Sequence, residues 1–253
     1  YPVHSVYEDL TWDKSDTMSG AGDDWAYEHL GVFGWTTEFW DIIFHATGKH
    51  SPTDVWYVGP TPEQELAVCK WTDTHAPGSY SPWKKFNHPQ LGEIEIGGCD
   101  PIKTWSNAPA SKLRDEVAPH VHFAIYQALA SPRLEIKRAN AEALGNGVYK
   151  VEIGIANTGW LGTEISEWAH KNKIVLPLTA EISGATLVEG APRVKLGQLD
   201  GRVKFRVSGD AKSDGTPDRV LQSWLIRGEK GQRVTLTATH QRAGVASAVV
   251  ELP

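Results

Sequence analysis

The sequence predicts a mixed α/β portion followed by an all-β portion. Three observations carry this prediction. Eight of the 11 tryptophans and eight of the ten histidines lie before Ser131-Pro132, so the composition changes there. Upstream of that point, capped helical stretches are interspersed with strand-like runs. Downstream, short β-rich runs are separated by Gly, Asn, Asp and Pro. A domain boundary near residue 132 follows, with portions 1–132 and 133–253.

Taken in order, Val32 to Trp40 is aromatic and Thr-rich, and it is apolar on both faces, the pattern of a covered central strand. Thr61-Pro62-Glu63-Gln64 starts a helix. Thr61 caps it, Pro62 suits the first turn, and Gln64 completes a capping box, with the helix running to about Asp73. Glu93 to Ile96 alternates and stops at Gly97-Gly98, a short strand with one wet face. Ser111 to Ala130 reads as a long helix whose Leu113, Val117, Val121, Ala124, Ile125 and Leu129 form one core-facing stripe. Pro119 should bend it, and Ser131-Pro132 ends it. Beyond lie candidate strands at 134–138, 148–156, 173–180, 203–207, 219–227, 233–240 and 245–252. Gly145-Asn146-Gly147 and Asp214-Gly215-Thr216-Pro217 are hairpin turns between them. Some seven short strands with turn signals between them fit a β-sandwich of immunoglobulin type.

Of the 253 residues, 40% are apolar and 22% charged, which excludes collagen, coiled coil and wholesale disorder. No apolar run reaches the roughly 18 residues of a membrane-spanning helix. With 25 basic against 31 acidic residues, the net charge of −6 argues against a nucleic-acid partner. Cys69 and Cys99 allow one bridge or two separate thiols, not a disulfide framework. A secreted or periplasmic setting, the favoured one, would allow them to pair. The chain opens at Tyr1 without Met or a signal peptide, so it is expected to be a piece of a longer protein or a processed product.

Glu38 is the residue that points to chemistry. Strand alternation would put Gly34, Thr36 and Glu38 on one face and Phe33, Trp35 and Phe39 on the other. The first face is small and polar, so Glu38 could sit at the floor of a cleft and carry protons. The alternative is a strand-end glutamate that is paired with a base or faces water.

The run from Gly20-Ala21-Gly22-Asp23-Asp24-Trp25-Ala26-Tyr27 through Thr36-Thr37-Glu38-Phe39 resembles the end of the catalytic domain of zinc metallocarboxypeptidases of the carboxypeptidase A/B family. The family pattern is a glycine-rich turn, Asp-Trp-x-Tyr, then a strand ending Thr-x-Glu-aromatic. His88-Pro89-Gln90-Leu91-Gly92-Glu93-Ile94-Glu95-Ile96-Gly97-Gly98 is similar to a segment of long bacterial members, which also carry a C-terminal β-sandwich. The resemblance implies that residues 1–132 are the C-terminal part of such a catalytic domain, with its mixed sheet. It implies a zinc-dependent hydrolase of C-terminal peptide bonds acting on a peptide or protein.

In that reading Glu38 is the general base and acid, and Tyr7, Asp23 and Thr36 are candidate substrate-binding residues. Tyr7 would be the mobile tyrosine that hydrogen-bonds substrate, at the cost of an insertion before Trp25; otherwise it is an ordinary strand aromatic. Asp23, two before the tryptophan, would favour a C-terminal Lys or Arg; otherwise it caps a turn. The family's ligands for Zn, a His-x-x-Glu pair and a later His, are expected upstream of Tyr1, in the N-terminal remainder of the same protein. Nothing here replaces them. His120 and His122 on one helix point about 200° apart, and His45 and His50 read as surface histidines. The chain alone should therefore bind no catalytic zinc and be inactive.

A non-enzymatic alternative is an adhesion or glycan-binding module, in which some of the tryptophans stack on sugars rather than fill a core. A glycoside hydrolase fits less well. Asp23 and Asp24 are adjacent, and no second acid stands opposite Glu38.

Overall fold

The computed structural model describes residues 19–51, 55–204 and 217–253. Its helices are α1 (Gly22–Trp25), α2 (Ile42–Thr47), α3 (Val55–Val58), α4 (Pro62–His75), α5 (Pro101–Thr104), α6 (Ala110–Ala130) and α7 (Glu167–Asn172). A π-helical turn, Ala26–Leu30, continues α1. The strands are β1 (Tyr80–His88), β2 (Gly92–Cys99), β3 (Leu134–Gly145), β4 (Val148–Asn157), β5 (Leu178–Ser183), β6 (Thr186–Leu187), β7 (Arg193–Gly197), β8 (Arg219–Arg227), β9 (Arg233–His240) and β10 (Gly244–Glu251). The fold is thus mixed α/β with antiparallel sheets. It divides into two compact units: Ser19 with 36–123, and 20–35 with 124–253.

In the first unit, α4 begins as its sequence dictates. The Thr61 hydroxyl accepts from the Gln64 amide at 3.3 Å, and the Gln64 side chain accepts from the Thr61 amide at 2.8 Å. Val68 of α4 packs against Ile42 and Ile43 of α2, with Trp40, Trp71 and Trp105 around them. β1 and β2 form an antiparallel hairpin running from Tyr80↔Cys99 to His88↔Gly92. The His88 imidazole holds its turn by accepting the Gln90 and Leu91 amides at 3.2 Å each. α6 ends at Ala130, just before Ser131-Pro132, and runs through Pro119 as one helix.

The stripe on α6 departs from expectation. No residue of this helix is buried, and Leu113, Val117, Val121, Ile125 and Leu129 are exposed. The periodicity is present, but it is not matched by burial among the described residues.

The second unit holds two four-stranded sheets, ordered β10-β9-β5-β7 and β3-β4-β8-β6. Val151, Ile153 and Ile155 of β4, Ile226 of β8, Leu178 and Ala180 of β5, and Val234, Leu236 and Ala238 of β9 are all fully buried in one core. Alternation along β9 is complete, which is why the sequence located it to the residue. Asn157 closes β4. Its amide oxygen accepts from the Arg133 and Gly159 amides, and its amide nitrogen donates to the Leu161 and Asp200 carbonyls. A buried asparagine with all of these bonds made fixes this corner.

Other expectations are corrected here. Val32 to Trp40 is not a strand; residues 33–40 belong to no helix and form no strand ladder among the described residues. The run expected at 173–180 starts later, because Lys173 is the left-handed cap of α7 (φ 52°) and pairing begins at Leu178. Residues 202–204 form a 3-10 turn; residues 205–207 and the Asp214–Thr216 part of the expected turn lie outside the described residues.

Residues 20–35 join the second unit through a hydrogen-bonded latch. The Ser166 hydroxyl donates to the Gly31 carbonyl at 2.7 Å, and the Trp168 indole donates to the Glu28 carbonyl at 3.0 Å. The Arg242 guanidinium donates to the carbonyls of Gly31, Glu164 and Leu30. Gly31 must be glycine at this contact. Its φ is +62°, and a Cβ there would stand 2.5 Å from the Cβ of Ala169.

His240 lies beneath this latch and is only 3% exposed. Its Nε2 bonds the Gln198 amide oxygen at 3.0 Å, while its Nδ1 accepts the Arg242 and Ala243 amides at 3.1 and 3.3 Å. Burial, then the charge of Arg242, lowers its pKa below the ordinary 6.5, against weaker opposition that includes Glu164. A histidine whose folded pKa is depressed contributes stability that is present above pH 6.5 and lost as pH falls below it. Denaturant melts between pH 7 and 5 should therefore show wild type losing stability relative to His240→Gln, with a slope of at most about 1.4 kcal/mol per pH unit. Parallel pH profiles for the two proteins would contradict this.

Candidate active site around Glu38

Glu38 lies in the irregular segment leading into α2, and it is exposed. It makes no hydrogen bond or ion pair among the described residues. The strand-face argument does not apply, because among the described residues the segment has no partner strand. Its C-terminal end is firmly fastened.

Trp40 takes a positive φ of 80°, unusual for a bulky residue. Such a conformation costs on the order of 1–3 kcal/mol and persists only where the surroundings over-determine it. Here they do. The Trp40 indole donates to the Thr104 carbonyl at 2.6 Å and stacks on His45 with centroids 4.7 Å apart. Trp71 lies against both rings, at 5.8 Å from each, and His75 stacks on the Trp71 indole at 4.4 Å.

Asp41 supplies the second fastening. Its carboxylate accepts from the Phe44 amide at 3.0 Å, capping α2. It also accepts from the Ser51 amide at 2.9 Å and the Ser51 hydroxyl at 2.7 Å, and it meets His50 at 3.3 Å. Burial alone would raise its pKa, but the hydrogen bonds from Ser51, Phe44 and His50 together hold it below the usual carboxylate range.

His45 is therefore not a surface histidine. It is held among Trp40, Trp71 and Glu116, whose carboxylate lies 2.8 Å from Nε2. His50, 77% exposed at its side chain, is one. The sequence missed Asp41 and Ser51 as a pair, although an Asp directly before Ile42-Ile43-Phe44 is an N-cap signal.

Of the other expected site residues, Thr36 belongs to the same unit as Glu38 and Asp23 to the second unit. Thr36 is exposed on the same segment as Glu38. Asp23 sits in the first turn of α1 in the second unit, partly buried, with its backbone so close to Gly34 that a Cβ there would stand 2.4 Å from the Asp23 Cα. Tyr7 lies outside the described residues. A cleft of about 510 Å³ in the first unit is lined by His75, Ser79, Lys103, Asn107 and Ser111, and contains neither Glu38 nor Thr36. No carboxylate lines it, so it offers no acid–base pair. Among the described residues no group of three or more His, Cys, Asp or Glu is placed to hold a metal ion, so they do not form a zinc site. No described helix is long and apolar enough to cross a membrane.

A family model described as a domain of unknown function, DUF8731, matches residues 133–251, which is the strand-rich run from β3 to β10. No curated protein matches the sequence. Among solved structures, the chain is similar to DesR, a beta-glucosidase from Streptomyces venezuelae in complex with D-glucose. Identity is 11% and the TM-score 0.20, over 48% of this chain and 15% of that one. A likeness at that level carries no argument for fold or activity.

Asp41→Ala removes the cap and both Ser51 bonds. It should cost about 1–2 kcal/mol, the range for losing an N-cap of this type, in chemical denaturation monitored by tryptophan fluorescence. An unchanged midpoint would mean that Trp40 alone holds the turn.

Proposed function

We propose that this chain carries the C-terminal part of the catalytic domain of a zinc-dependent carboxypeptidase, with Glu38 moving the proton. In this reading Glu38 takes a proton from the attacking water and returns it to the leaving amine. The sequence support is Asp24-Trp25-Ala26-Tyr27 followed by Thr36-Thr37-Glu38. The structural observation that favours it is the state of the carboxylate: exposed, unpaired, and two residues before the anchored Trp40. A glutamate held in a salt bridge would have to be released before it could act on water; this one is available.

Thr36 is available on the same segment, and Asp23 is the proposed contact for a cationic C-terminal side chain. The substrate is a peptide or protein. In this reading the zinc ligands, a His-x-x-Glu pair and a later His, come from the same protein outside the described residues. The second unit is read as an immunoglobulin-like sandwich, supported by two antiparallel four-stranded sheets that share one core. A crystal structure with a different strand order would retire that assignment.

In the full-length enzyme, Glu38→Gln should lower kcat by roughly 10²–10⁴-fold, the usual worth of a general base, and leave KM and bound zinc unchanged. Turnover close to wild type would remove Glu38 from the mechanism.

One observation favours a second reading, a glycan-binding module. Tyr27 and Trp168 are exposed and lie 6.2 Å apart in the second unit, and together they offer a stacking surface. If that reading holds, Trp168→Ala should abolish binding on a glycan array. Wild-type protein that binds no glycan would dismiss it.

A further inference from the structure

We propose that Cys69 and Cys99 form a redox-active thiol pair that closes to an intrachain disulfide, tying α4 to β2. Their Sγ atoms lie 3.1 Å apart as free thiols. A disulfide bond is about 2.05 Å long, so closure needs a movement of only about 1 Å. Both side chains are partly buried, which keeps them within reach of a small reagent.

Both backbones are held in place independently of the sulfurs. Cys69 follows Val68, which is buried against Ile42 and Ile43, on a helix with a complete capping box. Cys99 is paired with Tyr80 at the end of the hairpin. The next residue, Asp100, donates its amide to the Ser79 carbonyl at 2.7 Å and caps α5 with its carboxylate. The sulfurs therefore meet because the fold places them there.

Burial, the hydrogen bond to Cys69, charge on Cys69, and the carboxylates of Asp73 and Glu65 push the Cys99 thiol up to about 12. The two sulfurs share one site, so either can make the first attack on an external disulfide, and the steps balance equally with Cys69 or Cys99 leading. The oxidant is a small-molecule disulfide such as oxidised glutathione. With Cys69 leading, the Cys69 sulfur attacks one of its sulfurs, the S–S bond breaks, and the first reduced thiol leaves carrying the Cys69 proton. The Cys99 sulfur then attacks the Cys69 Sγ, and the second reduced thiol leaves with the Cys99 proton. Two thiols are oxidised and one disulfide is reduced.

Closure fixes α4, which also carries Trp71 and His75 of the aromatic stack, to a hairpin with little buried surface of its own.

The test treats the full chain with oxidised glutathione and reads intact mass, free thiols and melting temperature. The expected product is a monomer lighter by two hydrogens, with no titratable thiol and one peptide pair joined through Cys69 and Cys99. Its melting temperature for the first unit should rise by roughly 10 °C and return on reduction with dithiothreitol. Cys99→Ser should stop at the first step and retain one glutathione on Cys69. Wild-type protein that keeps both thiols, ends with bound glutathione, or yields only intermolecular dimers would overturn the proposal. A closed bridge with no change in melting temperature would overturn the stapling role.

Discussion

The first unit depends on the reversal of the chain at Trp40-Asp41. A tryptophan at φ +80° is tolerated because its indole donates to Thr104 and stacks on His45, while the adjacent carboxylate caps α2 and gathers Ser51. Neither residue could do this alone. The indole pins the turn to α5, and the carboxylate starts the helix whose Ile42 and Ile43 make the small core. The geometry of Glu38 follows from this. Its segment joins no sheet among the described residues, and the anchored Trp40 stands two residues downstream.

The latch around Gly31 imposes a second constraint. Residues 20–35 spend their backbone carbonyls at Glu28, Leu30 and Gly31 on Trp168, Arg242 and Ser166. This ties the Asp23–Tyr27 stretch to the β-rich unit and leaves Thr36 and Glu38 with the helical one. A motif continuous in sequence is thus anchored to two different cores. Arg242 matters out of proportion to its size. One planar guanidinium serves three carbonyls, a fork that a lysine could not reproduce.

How much of this was legible in the sequence depends on which force decided each element. β8 and β9 were readable to the residue, since alternation in a two-faced sheet is a local record of burial. The start of α4 was readable because a capping box is chemistry within four residues. The run 32–40 misled because aromatic and β-branched residues also suit an irregular chain fastened by indole contacts, and pairing is not written in one strand alone. α7 and its Lys173 cap were missed because a six-residue helix leaves too short a period to detect. For the site, the alternation argument put Glu38 on the floor of a cleft, whereas it is exposed because the run it belongs to forms no strand among the described residues; and the Asp41–Ser51 pair joins positions across a loop that no spacing rule covers.

The two units differ in what stabilises them, and this gives the thiol pair its weight. Among the described residues, the core of the second unit gathers sixteen buried apolar side chains, whereas the corresponding cluster of the first has three, Ile42, Ile43 and Val68. Beside this small cluster, the first unit is ordered by directional contacts, namely the Asp41 and Thr61 caps, the Trp40–His45 and Trp71–His75 stacks, and the His45–Glu116 contact. A fold held this way gains most from a cross-link, because a bond that closes a loop acts on the unfolded chain whether or not the folded core is large. In the second unit the same bond would act equally on the unfolded chain, but beside a larger core it would be a smaller share of the whole. Cys69 and Cys99 lie in the unit where a bridge is the larger share.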